Sequence, residues 1–369
     1  VFTDSFKDKI YSPWVITAFS TLVSLGMFLV IAAAVGKVGF TFGLVMSTVV
    51  PVVVAWPVSY WIIFYYKKVK QQNHEIEEKN DKLLKFNEEI AAQRDLLETK
   101  NTKIECINND LTESIAYAQH IQQAMLSPLP RIQAHLPQSF VLLKPRNVVS
   151  GDFYWFKVVQ NKIFIAAIDC TGHGVPGALM SMTGNNLLND IVETQGTTQP
   201  QEILNQLHLG VKKALQQDET NNRDGMDAAL CAINLSTNTV EFTGAKRPLV
   251  YIQNHTLYEI KGDIMPIGGE WNKDERKFAC HTIALNHEPT TFYMFSDGYQ
   301  DQFGGSRGKK FMKKRLKQLL LDIHLKPMDE QKQILDDTIL QWMKRENPHL
   351  QTEQQIDDIL LIGFRLTAK

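Results

Sequence analysis

From Trp14 to Val35 the chain carries no charged residue, and from Val38 to Tyr66 it again carries none. A helix rises about 1.5 Å per residue, so each run is long enough to cross a hydrocarbon core of roughly 30 Å. The turn between them reads GKVG, which makes the pair a tight helical hairpin. Tyr11 and Trp14 at the entry, and Trp56, Tyr60, Trp61, Tyr65 and Tyr66 at the exit, suit the aromatic belts of membrane interfaces. Lys7 and Lys9 precede the first run, Lys67, Lys68 and Lys70 follow the second, and the turn holds only Lys37. The positive-inside rule then puts both flanks in the cytoplasm. A buried core hairpin and a signal peptide are the alternatives, and a signal peptide leaves the second run unexplained. Residues 1–66 are therefore expected to form a transmembrane hairpin in the inner (cytoplasmic) membrane, with a cytoplasmic region downstream.

Residues 67–126 change character abruptly. Apolar side chains recur at Val69, Ile76, Leu83, Ile90, Leu97, Ile104 and Leu111, a step of seven each time, and Ala118 and Met125 extend the series. A strict seven-residue step predicts a left-handed coiled coil. The neighbouring column reads Asn73, Asn80, Asn87, Arg94, Asn101, Asn108 and Ile115. Asparagine at such positions favours a parallel two-stranded pairing in one register and weakens it. A weakly held parallel homodimer suits a linker that passes a signal by changing register. The competing reading is a solvated single helix.

SPLPRI, from Ser127, ends the helix with two prolines, so a globular part of residues 127–369 is expected. Strand-like runs SFVLLKPRNVV, FYWFKVV and KIFIAAID lead into helical GALMSMTGNNLLNDIV and PQEILNQLHLGVKKAL. A meander follows in DAALCAINL, TVEFTGA, PLVYIQN and TLYEI, then strands KFACHTIAL and TTFYMFSD. Two helices from about Lys309 to Lys344 and a closing strand DILLIGFRL complete the chain. Strand runs interrupted by paired helices indicate α+β layers, not strict βαβ alternation. With 369 residues there is room for two or three folded units, and a net charge of −1 gives no reason to expect a nucleic-acid partner. Cys106, Cys170, Cys231 and Cys280 are scattered, with no C-x-x-C pair, as in a reduced cytosolic protein. The sequence opens on Val1 and not on Met, which leaves room for an upstream segment.

The stretch AAIDCTGHGVPGALM admits three chemistries. GHGVPG satisfies G-x-G-x-x-G between a strand and a helix, and Glu193 lies at about the right distance for a ribose contact, but no second strand precedes that acid. A sensor histidine kinase would combine a membrane hairpin, a helix bearing His120 and a glycine-rich lid. The lid usually reads D-x-G-x-G, one residue shorter than here, and no asparagine-rich ATP helix lies upstream. The third chemistry is a metal site. Asp152, Asp169, Asp297 and Asp357 each adjoin strand text, where a carboxylate can be presented from a rigid base. Singly, each reads equally as a turn former or helix cap. Clustered carboxylates repel unless cations neutralise them, and oxygen-only ligation suits Mg²⁺ or Mn²⁺ better than zinc.

PRNVVSGDFYW, AIDCTGHGVPGALMS, DGMDAALCAINL, FTGAKRPLVYI, FSDGYQDQFGG and IDDILLIGFR, in that order, resemble the successive motifs of SpoIIE-like phosphatases, in the protein phosphatase 2C (PP2C) superfamily of metal-dependent serine/threonine phosphatases. The resemblance covers essentially Ser127 to Lys369, and SIAYAQHIQQAMLSP resembles the regulatory linker that often precedes such domains. It implies an α-β-β-α sandwich, two antiparallel β-sheets flanked by helices, with two Mn²⁺ or Mg²⁺ ions in a cleft at one edge. Asp169 would bridge both ions. Asp152, Asp297 and Asp357 would complete the site, with Asp358 as a neighbour and the backbone carbonyl of Cys170 where the family often has a glycine carbonyl. Asp152 and Asp169 carry the catalytic assignment, and Arg146 and His173 are candidates for phosphate contact. Asp301 stands where many members carry Glu. The glycines of GHGVPG would let backbone approach the reacting groups closely.

The expectation is a membrane-anchored, dimeric phosphatase that hydrolyses phosphoserine or phosphothreonine with a metal-activated water and is set by the coil. By resemblance, its substrate is a phosphorylated regulatory protein of the anti-sigma-antagonist kind. The alternatives are the sensor kinase and a catalytically silent scaffold that keeps the fold.

Overall fold

The structure, a computed structural model, describes residues 12–35, 40–269, 277–344 and 353–368. Lys7, Lys9, Tyr11 and the turn bearing Lys37 lie outside the described residues. By packing the chain divides into two units, Val1–Cys106 and Ile107–Lys369.

In the first unit, helix α1 (Pro13–Val35) lies against the start of helix α2 (Phe40–Met125). The Trp14 and Trp56 rings meet edge-on at 4.4 Å, and nearer the turn Phe28 packs where Gly43 has no Cβ. These two contacts fix an antiparallel pair. Both helices are long and apolar enough to cross a membrane, and Phe19, Val30, Phe42 and Trp61 are exposed on them. The seven-residue stripe of α2 is exposed as well, from Ile76 through Leu83, Ile90 and Leu97 to Leu111.

In the second unit two sheets pack face to face. One contains β1 (Ser139–Lys144), β6 (Leu249–Gln253), β7 (Thr256–Ile260), β10 (Thr290–Phe295) and β13 (Ile359–Leu366), in the order β1-β13-β10-β6-β7. The other contains β2 (Phe153–Val159), β3 (Lys162–Cys170), β4 (Gly225–Asn234), β5 (Thr239–Ala245) and β9 (His281–Ala284), with the two-residue β8 (Ile267–Gly268) paired to β4. Neighbouring strands in both sheets are antiparallel. The expected α+β sandwich of two antiparallel sheets flanked by helices is what forms.

The central strands of each sheet are buried on both faces, which is why they read as unbroken apolar runs, whereas the edge strands β7 and β9 are partly exposed. Along β3, Ile163, Ile165 and Ala167 face the layer between the sheets, while Phe164, Ala166 and Ile168 face the helices. Phe156, Cys231, Phe242, Phe292, Met294, Ile362 and Phe364 fill the same middle layer. Helices α4 (Gly174–Asn189) and α5 (Pro200–Ala214) cover the β3 sheet through Met180, Leu188, Ile203, Leu207 and Val211. A single π turn, Asp190–Thr194, ends α4. The other sheet is covered by α7 (Lys313–Ile323) and α8 (Met328–Met343) through Leu316, Leu320, Leu335 and Ile339.

Four details depart from the sequence reading. The helix expected from Lys309 begins at Lys313, because Lys309–Lys310 (β12) pairs with Phe303–Gly304 (β11). The strand expected across KFACHTIAL is confined to His281–Ala284. A four-residue helix α6, Gly298–Asp301, and the five-residue α3, Leu129–Gln133, were not anticipated.

Candidate metal centre

Antiparallel pairing brings one set of strand ends together. The end of β3 lies beside the starts of β2 and β4, and the end of β10 lies beside the start of β13. Side chains alternate along a strand, so Asp169 continues the inward face of Ile163, Ile165 and Ala167, and Asp227 that of Ala229, Cys231 and Ile233. Asp169 and Asp227 are paired in the β3–β4 register. Asp152 precedes β2 and Asp358 precedes β13, each in phase with inward-facing neighbours. Asp297 follows β10. The acids therefore gather where the apolar middle layer ends.

Asp152 is 3% exposed, and its Oδ2 has no hydrogen-bond partner. Burial and the charges of Asp169, Asp358 and Asp357 push its pKa well above the usual carboxylate range, against a hydrogen bond from Ser296. Asp358 is also buried, and its two oxygens accept the backbone N–H groups of Arg146 and Gly151, each at 2.7 Å. It thereby fixes the loop that carries Asp152. Gly151 and Gly177 both crowd the Gly172 carbonyl, where a Cβ would fall 2.4 and 2.3 Å from the oxygen. Gly172 and Gly174 have φ of +83° and +66°, the left-handed region that glycine tolerates. Part of what the GHGVPG glycines do is thus to let the Asp152 loop and the Asp169 loop touch.

Asp169 and Asp297 meet at a cation from the chain itself. Arg247 Nη2 lies 2.6 Å from Asp169 Oδ2, 2.6 Å from Asp297 Oδ2 and 3.3 Å from Asp227 Oδ2. Asp297 occupies the first position before α6 yet makes no side-chain cap, so its carboxylate is not used as an ordinary helix cap. Burial raises the Asp169 pKa to about 7; Arg247 opposes this, and Asp297, Asp227 and Asp357 add to it. Burial raises Asp227 too, again opposed by Arg247. Asp357 is exposed as a residue and its Oδ1 accepts the Asp358 N–H; partial desolvation of its carboxyl, with the charges of Asp297 and Asp358, raises its pKa.

The remaining sequence candidates divide. The Cys170 thiol is buried among apolar side chains, with its pKa pushed up by burial, so only its backbone carbonyl is free for a site role. Arg146 and His173 are brought together at the exposed rim. His173 Nε2 faces a guanidinium that can only donate, so Nδ1 carries the proton and donates to Asn147 Oδ1 at 3.1 Å. Asp301 pairs with Lys310 at 2.9 Å. Asp227 and Arg247 escaped the sequence reading although their motifs, DGMD and GAKR, were in view. A cavity of about 200 Å³ opens beside Asp169 and Asp227, lined also by Thr171, Arg223, Lys246 and Gly268.

Hard oxygen donors and an orphaned Asp152 oxygen fit Mg²⁺ or Mn²⁺. Among the described residues no three His, Cys, Asp or Glu side chains are close enough to hold an ion as they stand. The Arg247 nitrogen spaces Asp169, Asp227 and Asp297 apart.

Residues 160–367 match the family described as Stage II sporulation protein E (SpoIIE). The chain belongs to the SpoIIE family. The SiaA-PP2C domain of Pseudomonas aeruginosa is 32% identical, with a TM-score of 0.61 over 70% of this chain and 98% of that domain. The PP2C phosphatase domain and regulatory-domain fragment of the cell fate determinant SpoIIE from Bacillus subtilis is 16% identical, with a TM-score of 0.48 over 62% of this chain and 63% of that one. No curated protein sequence matches. The second unit is thus a PP2C-type phosphatase domain, and phosphatases of this kind are metal-dependent. In this SpoIIE-family domain the dinucleotide reading of GHGVPG fails on topology. The strand before it pairs antiparallel with both neighbours, so no parallel βαβ unit exists to hold a pyrophosphate.

A carboxyl whose folded pKa is about 7, against 3.8 unfolded, binds a proton on folding at intermediate pH. Its contribution to stability is full below the unfolded value and is lost as pH rises through about 7. In EDTA the SpoIIE-family domain should therefore melt several degrees higher at pH 5 than at pH 8; calorimetry showing the opposite slope would contradict this electrostatic account.

Proposed function

We propose that the protein is a membrane-anchored, Mn²⁺- or Mg²⁺-dependent phosphatase acting on phosphoserine or phosphothreonine of a regulatory protein. The observation that carries the reading is the convergence of Asp152, Asp169, Asp297 and Asp357 at one end of the sandwich, with a buried Asp152 oxygen unpartnered. A bound ion pair would supply Lewis acidity and acidify a water at neutral pH. Asp169 and Asp152 would hold the ions, with Asp297, Asp357 and the Cys170 carbonyl completing the ligation and Asp358 positioning the Asp152 loop. Arg146 and His173 lie at the rim where they can orient a phosphoryl group by charge and hydrogen bonding. The cavity beside Asp169, with Arg223 and Lys246 in its wall, suits the phosphorylated side chain of a protein substrate. A silent scaffold would have no use for this set of acids, and His120 is an exposed side chain on α2, with nothing about it that marks a phosphorylation site.

The proposed division of the chain is a hairpin of residues 1–66, a linker of 67–126 and a phosphatase domain of 127–369. Helices α1 and α2 expose apolar side chains on nearly every face, which suits lipid better than a protein core. The exposed stripe from Val69 to Leu111 suits a second copy of the chain in a parallel coiled coil. The coil has a direct line to the acids. Gln122, buried in the last turn of α2, donates from Nε2 to the Ser150 carbonyl at 2.6 Å and to Ser181 Oγ at 2.8 Å, while its Oε1 accepts the Ser150 N–H at 3.1 Å. Ser150 immediately precedes the Gly151–Asp152 loop.

Purified protein should release phosphate from p-nitrophenyl phosphate and from a phosphoserine peptide only with Mn²⁺ or Mg²⁺, and Asp169→Asn should fall to background; equal activity of that variant would remove the metal mechanism. Gln122→Leu leaves the Ser150 amide and Ser181 short of partners, at a cost of about 1–3 kcal/mol. It should lower turnover several-fold while Asp169 and its neighbours stay intact, and an unchanged kcat would remove the linker from control. Single cysteines at Ile76, Leu83 or Ile90, with Cys106 and Cys280 changed to serine, should form intersubunit disulfides in membranes; failure at all three positions would argue for a monomeric helix.

A further inference from the structure

The chain crosses from one sheet to the other between β5 and β6, and the crossover delivers Arg247 into the acids. Lys246 takes a positive φ of 57° there, and its N–H bonds the Asp263 carbonyl at 2.7 Å. The Gly244 position lies so close to the Arg247 carbonyl that a Cβ would fall 2.4 Å from it. The backbone that aims the guanidinium is therefore tightly held.

The contacts of that guanidinium are unusual for a structural arginine. A structural ion pair typically sets two parallel N–H groups against one carboxylate. Here the single atom Nη2 faces Asp169, Asp297 and Asp227. It carries two N–H bonds and cannot donate to all three carboxylates at once. Nε is buried without a partner. The nitrogen is placed as a point cation in an oxygen cage. It also ties the two sheets together, since Asp169 ends β3 and Asp297 follows β10.

We infer that Arg247 is a built-in counter-ion that competes with the divalent cation for the facing oxygens of Asp169 and Asp297, so that metal loading requires its withdrawal. This rests on the metal-phosphatase reading above. An ion ligated by both acids needs the oxygens that Nη2 now holds at 2.6 Å, and a second positive charge at that distance is repelled. Withdrawal has a destination: Asp227 Oδ2 is 3.3 Å away and borders the open cavity, so the guanidinium can turn onto Asp227 and keep a partner. The benefit lies in folding. Acids from opposite sheets would repel as the sandwich closes, and an arginine already in the chain neutralises them before any ion arrives. The consequence is a metal threshold higher than these carboxylates alone would set.

The test is Mn²⁺ uptake by the full chain in detergent, read from the electron paramagnetic resonance signal of free Mn²⁺ at pH 8. It is paired with thermal melting in EDTA and in saturating Mn²⁺. Arg247→Gln and Arg247→Met should each bind Mn²⁺ about tenfold more tightly, or better, because both the competitor and its repulsion are gone. Both should melt lower than wild type in EDTA, or fail to fold there, and match wild type in Mn²⁺. Equal or weaker Mn²⁺ affinity in the variants overturns the inference. So does a requirement for Arg247 that persists in saturating Mn²⁺, since a counter-ion replaced by metal is dispensable once metal is bound. Wild type that takes up no Mn²⁺ at all overturns the phosphatase reading instead, which separates the two failures.

Discussion

Like charge held together by an apolar sandwich is the constraint on which this domain turns. Asp152, Asp169, Asp227, Asp297 and Asp358 come from distant parts of the chain and meet where the middle layer runs out. Burial first, and their mutual repulsion added to it, raise the pKa values of Asp152 and Asp169, because like charge costs more in that environment than in water. The sandwich can bear this because three apolar layers, one between the sheets and one under each helix pair, surround the strands that carry the acids. Strands buried on both faces are rigid platforms, and rigid platforms can hold charges that would otherwise move apart.

The same double burial explains which parts of the fold could be read in advance. KIFIAAID and DAALCAINL were legible as strands because Ile163 to Ile168 and Ala228 to Ile233 are unbroken apolar runs that stop at polar residues. β8, β11 and β12 were not legible, since two-residue strands are created by their partners and leave no local pattern. Lys309–Lys310 reads as the opening of a charged helix, and pairing with Phe303–Gly304 overrides that preference. The acids at strand ends were visible as isolated carboxylates closing apolar runs. Arg247 was not, because its meaning lies in what stands opposite it across two sheets. A basic pair such as Lys246–Arg247 between two strands has an ordinary solvated reading until the topology is known.

The glycine-rich loop shows how a pattern can be present for a different reason. G-x-G-x-x-G in a dinucleotide site clears room for a pyrophosphate at a helix N-terminus. Here Gly177 and Gly151 clear room for each other around the Gly172 carbonyl. The spacing is the same because both uses need a tight turn followed by a helix packed close to its strand. Only the antiparallel neighbours of β3 distinguish them, and strand direction is a long-range property that a motif does not carry.

Close packing around Gly151 also decides what the linker helix can do on the proposed reading. The Gly151 N–H is bound to Asp358, its α-carbon lies against Gly177, and the residue before it is clasped on both its N–H and its carbonyl by Gln122. A segment fixed at so many points cannot absorb a shift locally, because packed interiors switch between arrangements and do not stretch. Movement of Gln122 must either break its bonds to Ser150 or carry Ser150 with it, and the next side chain along is Asp152, whose Oδ2 has no hydrogen-bond partner. If Asp152 ligates a metal as proposed, a small displacement of that oxygen would change the ligation. If the helix pairs as proposed, a weak, asparagine-lined coil would need only a small free-energy difference between two registers to control the site, since α2 is continuous through Met125.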